Sequence, residues 1–346
     1  MLKDVSVVLK ILLYSVVTTH CCQNRRNGCQ TADNYTDHQL ILVKKWAPLI
    51  WLAPGEEFLP SSTKSFLEHV VPFMPSTWFH DQQARKISFL PTGSESQQWF
   101  LKTFQDVDKL LFNKSSILYG ENPNKESVPV YTHLTNCKKQ GHFQVTFWLF
   151  YPYNRGKEVC TLNTLMGVVP IPRWLNGQCL GLMKEFGNHV GDWEHVSLNF
   201  KGKEHPAEMY VSVHSFGSYY KFDETRNQFI LHGRMARYRP QFPKTVNLIQ
   251  GSHPVLFAAK GSHGLWATPG RHKYVNIPSL YDESGYGVKW TTWKSLKIIK
   301  DFNSGWLRFQ GRWGNPREKC FPLSNTICQL VDGPTGIPMK KLHFTC

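Results

Sequence analysis

The sequence predicts a mainly β protein: a β-sandwich-like domain with long loops and a few helices, held by disulfide bonds. Three observations predict it. Segments 142–153 (HFQVTFWLFYPY), 192–200 (DWEHVSLNF), 207–215 (AEMYVSVHS) and 253–260 (HPVLFAAK) are short, rich in β-branched and aromatic residues, and bounded by Gly, Pro or Asn. Twenty-five Gly, 21 Pro and a 14% aromatic content fit many short strands joined by elaborate loops. None of the nine cysteines sits in a CxxC pair, so zinc-ribbon and thioredoxin sites lack their spacing.

Lys3 gives a short basic start, followed by an apolar stretch from Val5 to Val17 and then Thr18, Thr19 and Cys21. Basic, apolar, then small is the order of a secretory signal, here residues 1–21, too short to span a bilayer comfortably. Residues 22–43 read as a polar, cysteine-containing leader. The cap-like Ser61-Ser62-Thr63 predicts a helix through FLEHVV before Pro72. Phe100, Phe104, Val107 and Leu111 predict another over 97–112. Residues 44–316 form the β-rich domain and 317–346 a cysteine-containing C-terminal tail. The most apolar later stretch, LILVKKWAPLIWLA, is broken by Lys44, Lys45 and Pro48, so no transmembrane span is expected.

Compartment and partners follow. Cleavage after Cys21 leaves eight of the nine cysteines, whose connectivity stays open, in an oxidising compartment. Asn34-Tyr-Thr and Asn113-Lys-Ser are glycosylation sequons, meaningful in a secreted or lumenal chain. A net charge of +15 favours anionic lipid headgroups or glycans, and the secreted setting argues against nucleic acid. The nearest to a basic patch is Arg234, Arg237 and Arg239.

The sharpest local signal is GNHVGDWEHVSLNF. As a strand it puts Asp192, Glu194, Val196, Leu198 and Phe200 on one face and Trp193 on the other. The apolar end faces the core, so the two carboxylates lie at its rim, their Cα atoms about 6.6 Å apart. Partly desolvated, they require a shared proton, a basic partner such as Arg312, or a divalent cation. Oxygen ligands suit calcium or magnesium, and His189 extends the set to manganese. His214, at the end of AEMYVSV, and Lys260 and His263, in AAKGSHG, are further site contacts. KGSHG lacks the first glycine of a nucleophile elbow, and neither HExxH nor a nucleotide-binding glycine pattern occurs.

Seven ordered blocks carry a family resemblance: KKWAPLIWLAPGEEFLPSSTKSFLEHV, VTFWLFYPYN, HVGDWEHVSLNF, YVSVHSFGSYY, HPVLFAAKGSHGLWATPGRHKY, YDESGYGVKWTTW and GRWGNP. Across about 44–316 the chain resembles the vacuolar protein sorting-associated protein 62 family. That resemblance implies an endomembrane or secreted protein linked to vacuolar protein sorting, with no agreed reaction. HVGDWEH is also similar to the GHRHDWE motif of necrosis- and ethylene-inducing-like proteins. There the first His, the Asp and the Glu help hold a divalent cation that engages sphingolipid glycans. The resemblance implies metal ligands at His189, Asp192 and Glu194. Gly191 stands for the second histidine and Asn188 for the leading glycine, so cytolytic activity does not carry over.

The expectation is a secreted or lumenal, non-enzymatic protein with a divalent-cation site, binding a glycan or anionic lipid headgroup in peripheral contact with a membrane. The first alternative is a metal-dependent hydrolase, with Asp192 and Glu194 as ligand and general base and His214 or His263 as acid. The second is a structural sorting adaptor without metal.

Overall fold

The computed structural model describes residues 35–75, 85–164, 167–171, 177–233, 240–275, 280–300, 302, 305–321, 324–344 and 346. The expected signal with Cys21, most of the leader with Cys22, Cys29 and Asn34, and Arg234, Arg237 and Arg239 lie outside the described residues.

Helix α1 (Asp37–Trp46) opens with a capping box: Thr36 Oγ1 accepts from Gln39 N, and Gln39 Oε1 accepts from Thr36 N. It leads to β1 (Leu49–Leu52), the short α2 (Thr63–Leu67), β2 (Val70–Met74), β3 (Arg85–Lys86), β4 (Phe100–Thr103) and α3 (Val107–Phe112). The central run is β5 (Val130–Asn136), β6 (His142–Asn154), β7 (Lys157–Thr164), β8 (Gly167–Pro170), β9 (Leu182–Phe186), β10 (His189–Lys201), β11 (Pro206–Val213), β12 (Phe216–Asp223) and β13 (Gln228–His232). Short strands follow: β14 (Thr245–Val246), β15 (Leu248–Ile249), β16 (His253–Ala258), β17 (Leu265–Trp266), β18 (Gly270–Val275) and β19 (Leu280–Ser284). Last come β20 (Lys289–Thr291), β21 (Leu296–Ile299), β22 (Glu318–Phe321) and β23 (Ser324–Leu330). All four segments read as strands are strands.

The two predicted helices are each half right. The first stops at Leu67, and Val70–Met74 pairs antiparallel with β4, Val70 opposite Thr103 and Phe73 opposite Phe100. That pairing claims the first half of the second helix too. It buries Val70 and Leu101 beside Phe66 in one core, while Phe104 is exposed. Only Val107–Phe112 is α-helical, where Asp106 caps the N–H groups of Asp108 and Lys109.

An eight-stranded sheet, ordered β14-β13-β12-β11-β10-β6-β5-β21, faces a smaller one, β15-β16-β1-β20 with β17 paired to β16. Alternation along β10 sends Val196, Leu198 and Phe200 inward, and β6 does the same with Phe143, Val145, Phe147 and Leu149. These meet Ile50 and Leu52 of β1, Leu256 and Ala258 of β16, Trp290 of β20, and Leu42, Val43 and Trp46 of α1 in a single buried cluster. The arrangement is a sandwich. Trp148, Phe150 and Trp193 point the other way, into a second core with Phe66, Leu101, Trp313 and Ile337. The large sheet is therefore buried on both faces along its middle, which suits the apolar runs of β6 and β10.

The two central strands change phase together. Val190 lies opposite Tyr153 and Asp192 opposite Tyr151, with Gly191 and Pro152 between these pairs. Val190 and Tyr153 both pack in the outer core, although even residues of β10 and odd residues of β6 otherwise face inward. Gly191 permits the switch with φ +70°, and a Cβ there would come within 2.1 Å of Trp313 O.

Disulfides join Cys137 to Cys346, Cys160 to Cys179 and Cys320 to Cys328. Residues 317–346 supply Leu330 and Ile337 to the outer core. Among the described residues no helix is long and apolar enough to cross a membrane. Gly191→Ala, by strain and clash together, should cost about 3 kcal/mol or more in urea unfolding. A loss below about 1 kcal/mol would mean that the strand tolerates L-geometry at this point.

Candidate functional site

The site forms where the phase switch meets the end of the sandwich. Asp192 and Glu194 share the inward face with Val196, as the alternation predicts, and both are buried. The switch at Gly191 turns His189 to the same side. His189 Nδ1 donates to Gly191 O over 2.7 Å, which leaves Nε2 the unprotonated nitrogen of the neutral ring. Burial lowers the pKa of His189, against the pull of Asp192.

Each carboxylate has its own set of partners. Asp192 Oδ1 accepts from Trp193 N at 2.9 Å, and Oδ2 lies 3.1 Å from His263 Nδ1. His263 Nε2 lies 2.9 Å from Phe58 O, an acceptor only. With acceptors on both ring nitrogens, His263 is an imidazolium and its contact to Asp192 an ion pair. Burial works against that charge, but the hydrogen bond to Asp192 and the field of Glu56 outweigh it and raise the pKa. Burial likewise opposes the charge on Asp192, yet His263 and His189 hold its pKa below the ordinary value. Glu194 differs. Ser212 donates its hydroxyl to Oε2 through a very short hydrogen bond, and His214 N donates to Oε1 over 3.3 Å. Burial, then the neighbouring Asp192, push its pKa up to about 7. The pair thus divides its proton: Asp192 ionised, Glu194 poised near neutrality.

Three elements outside the two strands complete the geometry. The turn Ala259–Gly264 is the first. It is closed by His263 N donating to Ala259 O over 2.9 Å, with Gly261 and His263 both at positive φ. Its Ser262 hydroxyl donates to Asp282 Oδ1 at 2.8 Å, so one turn holds His263 on Asp192 and Ser262 on Asp282. Glu56 anchors the same turn by accepting from Gly261 N at 2.6 Å. Asp282 of β19 is the second element. It is fully buried and also meets His214 Nε2 at 2.8 Å, Trp266 Nε1 at 3.1 Å and Lys157 Nζ at 3.0 Å. Burial opposes its charge, but His214 and Lys157 hold its pKa far below the carboxylate range. Burial also disfavours a charged His214, and Asp282 overcomes this to raise its pKa. The third is Lys340, from the C-terminal tail, whose ammonium feels both Asp192 and Glu194 while burial lowers its pKa. Neither carboxylate is within ion-pair distance of it.

The structure brings together His189, Asp192, Glu194, His214 and His263. Lys260 keeps its backbone in place by donating to Glu283 O, but its side chain is exposed and lies over Gly55. Arg312 donates to Gly333 O, and the basic groups that the acidic pair feels are His263 and His189 at Asp192, His214 at Glu194, and Lys340 at both. His195 stays outside the site. It faces the opposite way with Trp193, stacked among Trp148, Tyr210 and His343, both ring nitrogens without partners. Asn113 is exposed at the end of α3, its Oδ1 accepting from Ser115 N. Among the described residues no three His, Cys, Asp or Glu side chains stand in a geometry able to hold a metal ion. The site also leaves a polar group unmet. Tyr151 stacks on His263, ring centroids 3.8 Å apart, and its buried hydroxyl has no partner although it feels Glu56, Glu194 and Asp192. Tyr151, Ser212, Asp282, Lys157 and Lys340 carried no sequence signal of their own beyond membership of a strand or the tail.

The sequence model of the vacuolar protein sorting-associated protein 62 family matches residues 13–263. Vacuolar protein sorting-associated protein 62 of Saccharomyces cerevisiae is 24% identical over 343 residues, covering 86% of this chain and 65% of that one. TDA6 of the same yeast, also named for vacuolar protein sorting, is 24% identical over 335 residues, covering 85% and 65%. The chain therefore spans about 65% of the length of these relatives. Among solved structures, Necrosis and Ethylene inducing Protein 2 from the causal agent of cocoa's Witches Broom disease is 11% identical, covers 77% of this chain and 74% of its own, and gives a TM-score of 0.29. A structure described as a toxin fold for microbial attack and plant defense gives 0.28 at 10% identity, covering 77% and 76%. Overlaps of that TM-score carry no weight for fold or function. Both groups are those that the seven blocks and HVGDWEH resemble.

Two outcomes follow from the charge arrangement. Asp282→Asn removes the anion that His214 and Lys157 share, and should cost about 3–5 kcal/mol in chemical unfolding. A near-neutral result would mean those cations find other partners. For Glu194, the folded pKa of about 7 lies above the ordinary 4.5. Its contribution to stability is thus complete below the ordinary value and lost as the pH rises through the folded one. Glu194→Gln keeps the neutral shape and should gain on wild type between those limits by on the order of 3 kcal/mol. Parallel stability curves for the two proteins would show that Glu194 titrates normally.

Proposed function

The chain belongs to the vacuolar protein sorting-associated protein 62 family, and from that premise we propose that it is a lumenal, non-enzymatic protein that binds a glycan or anionic lipid headgroup at the Asp192–Glu194 site. Three disulfides suit a lumenal compartment. The observation that carries the reading is the Tyr151 hydroxyl, buried beside two carboxylates and left without a partner. Buried polar groups find partners in native proteins, so an orphan hydroxyl among carboxylates supports a hydroxylated ligand as its missing partner. The hydroxyl feels the carboxylates of Glu56, Glu194 and Asp192, which can accept hydrogen bonds, and the acidic pair in turn feels the Lys340 ammonium. Sugar hydroxyls, which both donate and accept, match this mixture, and Lys340 suits an anionic group.

A divalent cation enters this reading by exchange. The donor chemistry of His189, Asp192 and Glu194 is right for calcium, magnesium or manganese. With Lys340 and His263 supplying positive charge, and no three-ligand geometry among the described residues, a cation would have to replace Lys340. The same charge balance favours, as a second reading, the sorting adaptor without metal.

Thermal melts separate the readings. The wild type should gain stability from a sulfated disaccharide or glycerophosphoinositol, about 2.7 kcal/mol at a hundredfold excess over Kd. Asp192→Asn should lose most of that gain. Lys340→Met should respond to calcium more strongly than wild type, and Asp192→Asn with Lys340→Met should not respond. A wild type that melts identically with every ligand and ion would leave the adaptor reading standing.

A further inference from the structure

Among the described residues Phe112 is the most exposed large apolar side chain, at 92%. Asn113, the residue after it, opens the sequon Asn113-Lys114-Ser115 and is itself exposed. We propose that Asn113 carries an N-linked glycan whose first sugar packs on the Phe112 ring. The proposal rests on the lumenal reading, because the sequon is an acceptor in a secreted or lumenal chain.

The local backbone carries the argument. Helix α3 buries Val107 and Leu110 and leaves Asp108, Lys109 and Phe112 on its outer side. It ends at Asn113, whose extended backbone, with ψ 102°, breaks the helical run. The turn that follows is held by Ser116, whose N donates to Asn113 O over 2.9 Å and whose hydroxyl donates to Leu110 O over 2.7 Å. Within it Asn113 Oδ1 accepts from Ser115 N at 3.0 Å, an Asx turn that sets the plane of the side-chain amide. No bond among the described residues uses Nδ2, so a sugar on it displaces none of them. Lys114, the long side chain of the sequon, is engaged elsewhere: its Nζ meets Glu57 Oε1 at 3.1 Å and stands 4.6 Å from the Tyr119 ring.

Attachment replaces one hydrogen of Nδ2. The donor class is an oligosaccharide joined to a lipid through pyrophosphate. A C–N bond forms between Nδ2 and the anomeric carbon, and the bond from that carbon to the pyrophosphate oxygen breaks. The lipid pyrophosphate leaves, and Nδ2 gives up a proton. Phe112 supplies the second contact. A pyranose presents a face of C–H groups and an aromatic ring a negative face, so the two are complementary. A phenylalanine held out in water gains from cover, and a sugar on the adjoining residue provides it.

Peptide mass mapping of the full chain, made in a eukaryotic host, tests the attachment. The Asn113 peptide should carry hexosamine, and peptide-N-glycosidase in heavy-oxygen water should convert that asparagine to labelled aspartate. Ser115→Ala keeps the backbone donor of the Asx turn and should lose the modification; Ser115→Thr should retain it. Urea midpoints test the packing. Phe112→Ser should lower the midpoint of the glycosylated chain and change it little in the Ser115→Ala background, where no sugar covers the ring. An unmodified Asn113 overturns the proposal. If the three disulfides have formed in that chain, the lumenal reading survives alone; if the cysteines are reduced, both fall. Equal midpoint shifts in the two backgrounds overturn the packing on Phe112.

Discussion

Two carboxylates two residues apart on the buried face of a strand impose a condition that much of this protein serves. At the end of the sandwich core, Asp192 and Glu194 cannot both be ionised without compensation, and water is too scarce to provide it. The fold answers with different devices for each. Asp192 receives a histidine held in a left-handed turn, and that turn is held in place by Glu56. Glu194 receives a serine hydroxyl and a backbone N–H, which suit either protonation state better than a fixed cation would. Lys340 adds a charge that both can feel. Removing any one device leaves the others holding a charge for which they were not matched.

A second buried charge group, centred on Asp282, is tied to the first by shared chain. Ser262 and His263 are consecutive and serve one group each, and His214 offers its backbone to Glu194 and its ring to Asp282. Coupling of this kind makes the end of the sandwich stiff. It also explains why elements far apart in sequence, β10, β11, the β16–β17 turn and β19, must arrive together before any of these side chains has a stable environment.

What the sequence made legible was whatever depended on alternation. The inward face of 192–200, the outward Trp193 and the four strand segments all follow from period two along a half-buried strand. His189 reached the acidic face for a reason that alternation does not contain: a glycine at positive φ opposite Pro152 reverses the phase. The short HVGDWEH motif pointed to His189, and the backbone shows what turns it to that face. The helices were half legible because Phe100 and Leu101 satisfy either period, and pairing with Val70–Met74 decided between them. Asp282 and Lys340 were illegible because their roles are set by tertiary neighbours. An aspartate in YDESGYG and a lysine in a polar tail look like surface residues until the chain closes around them.

The lysine that faces the acidic pair comes from the same tail that the Cys137–Cys346 bridge fastens, across a sequence separation of 209. A chain made from its N-terminus therefore holds β6 and β10 long before Lys340 exists. Throughout that interval the acidic pair stands without its lysine, and the proton that Glu194 takes up near neutral pH is the compensation at hand. In that sense the acidic pair has a biography as well as a geometry, and its charge balance at maturity is the last stage of its assembly.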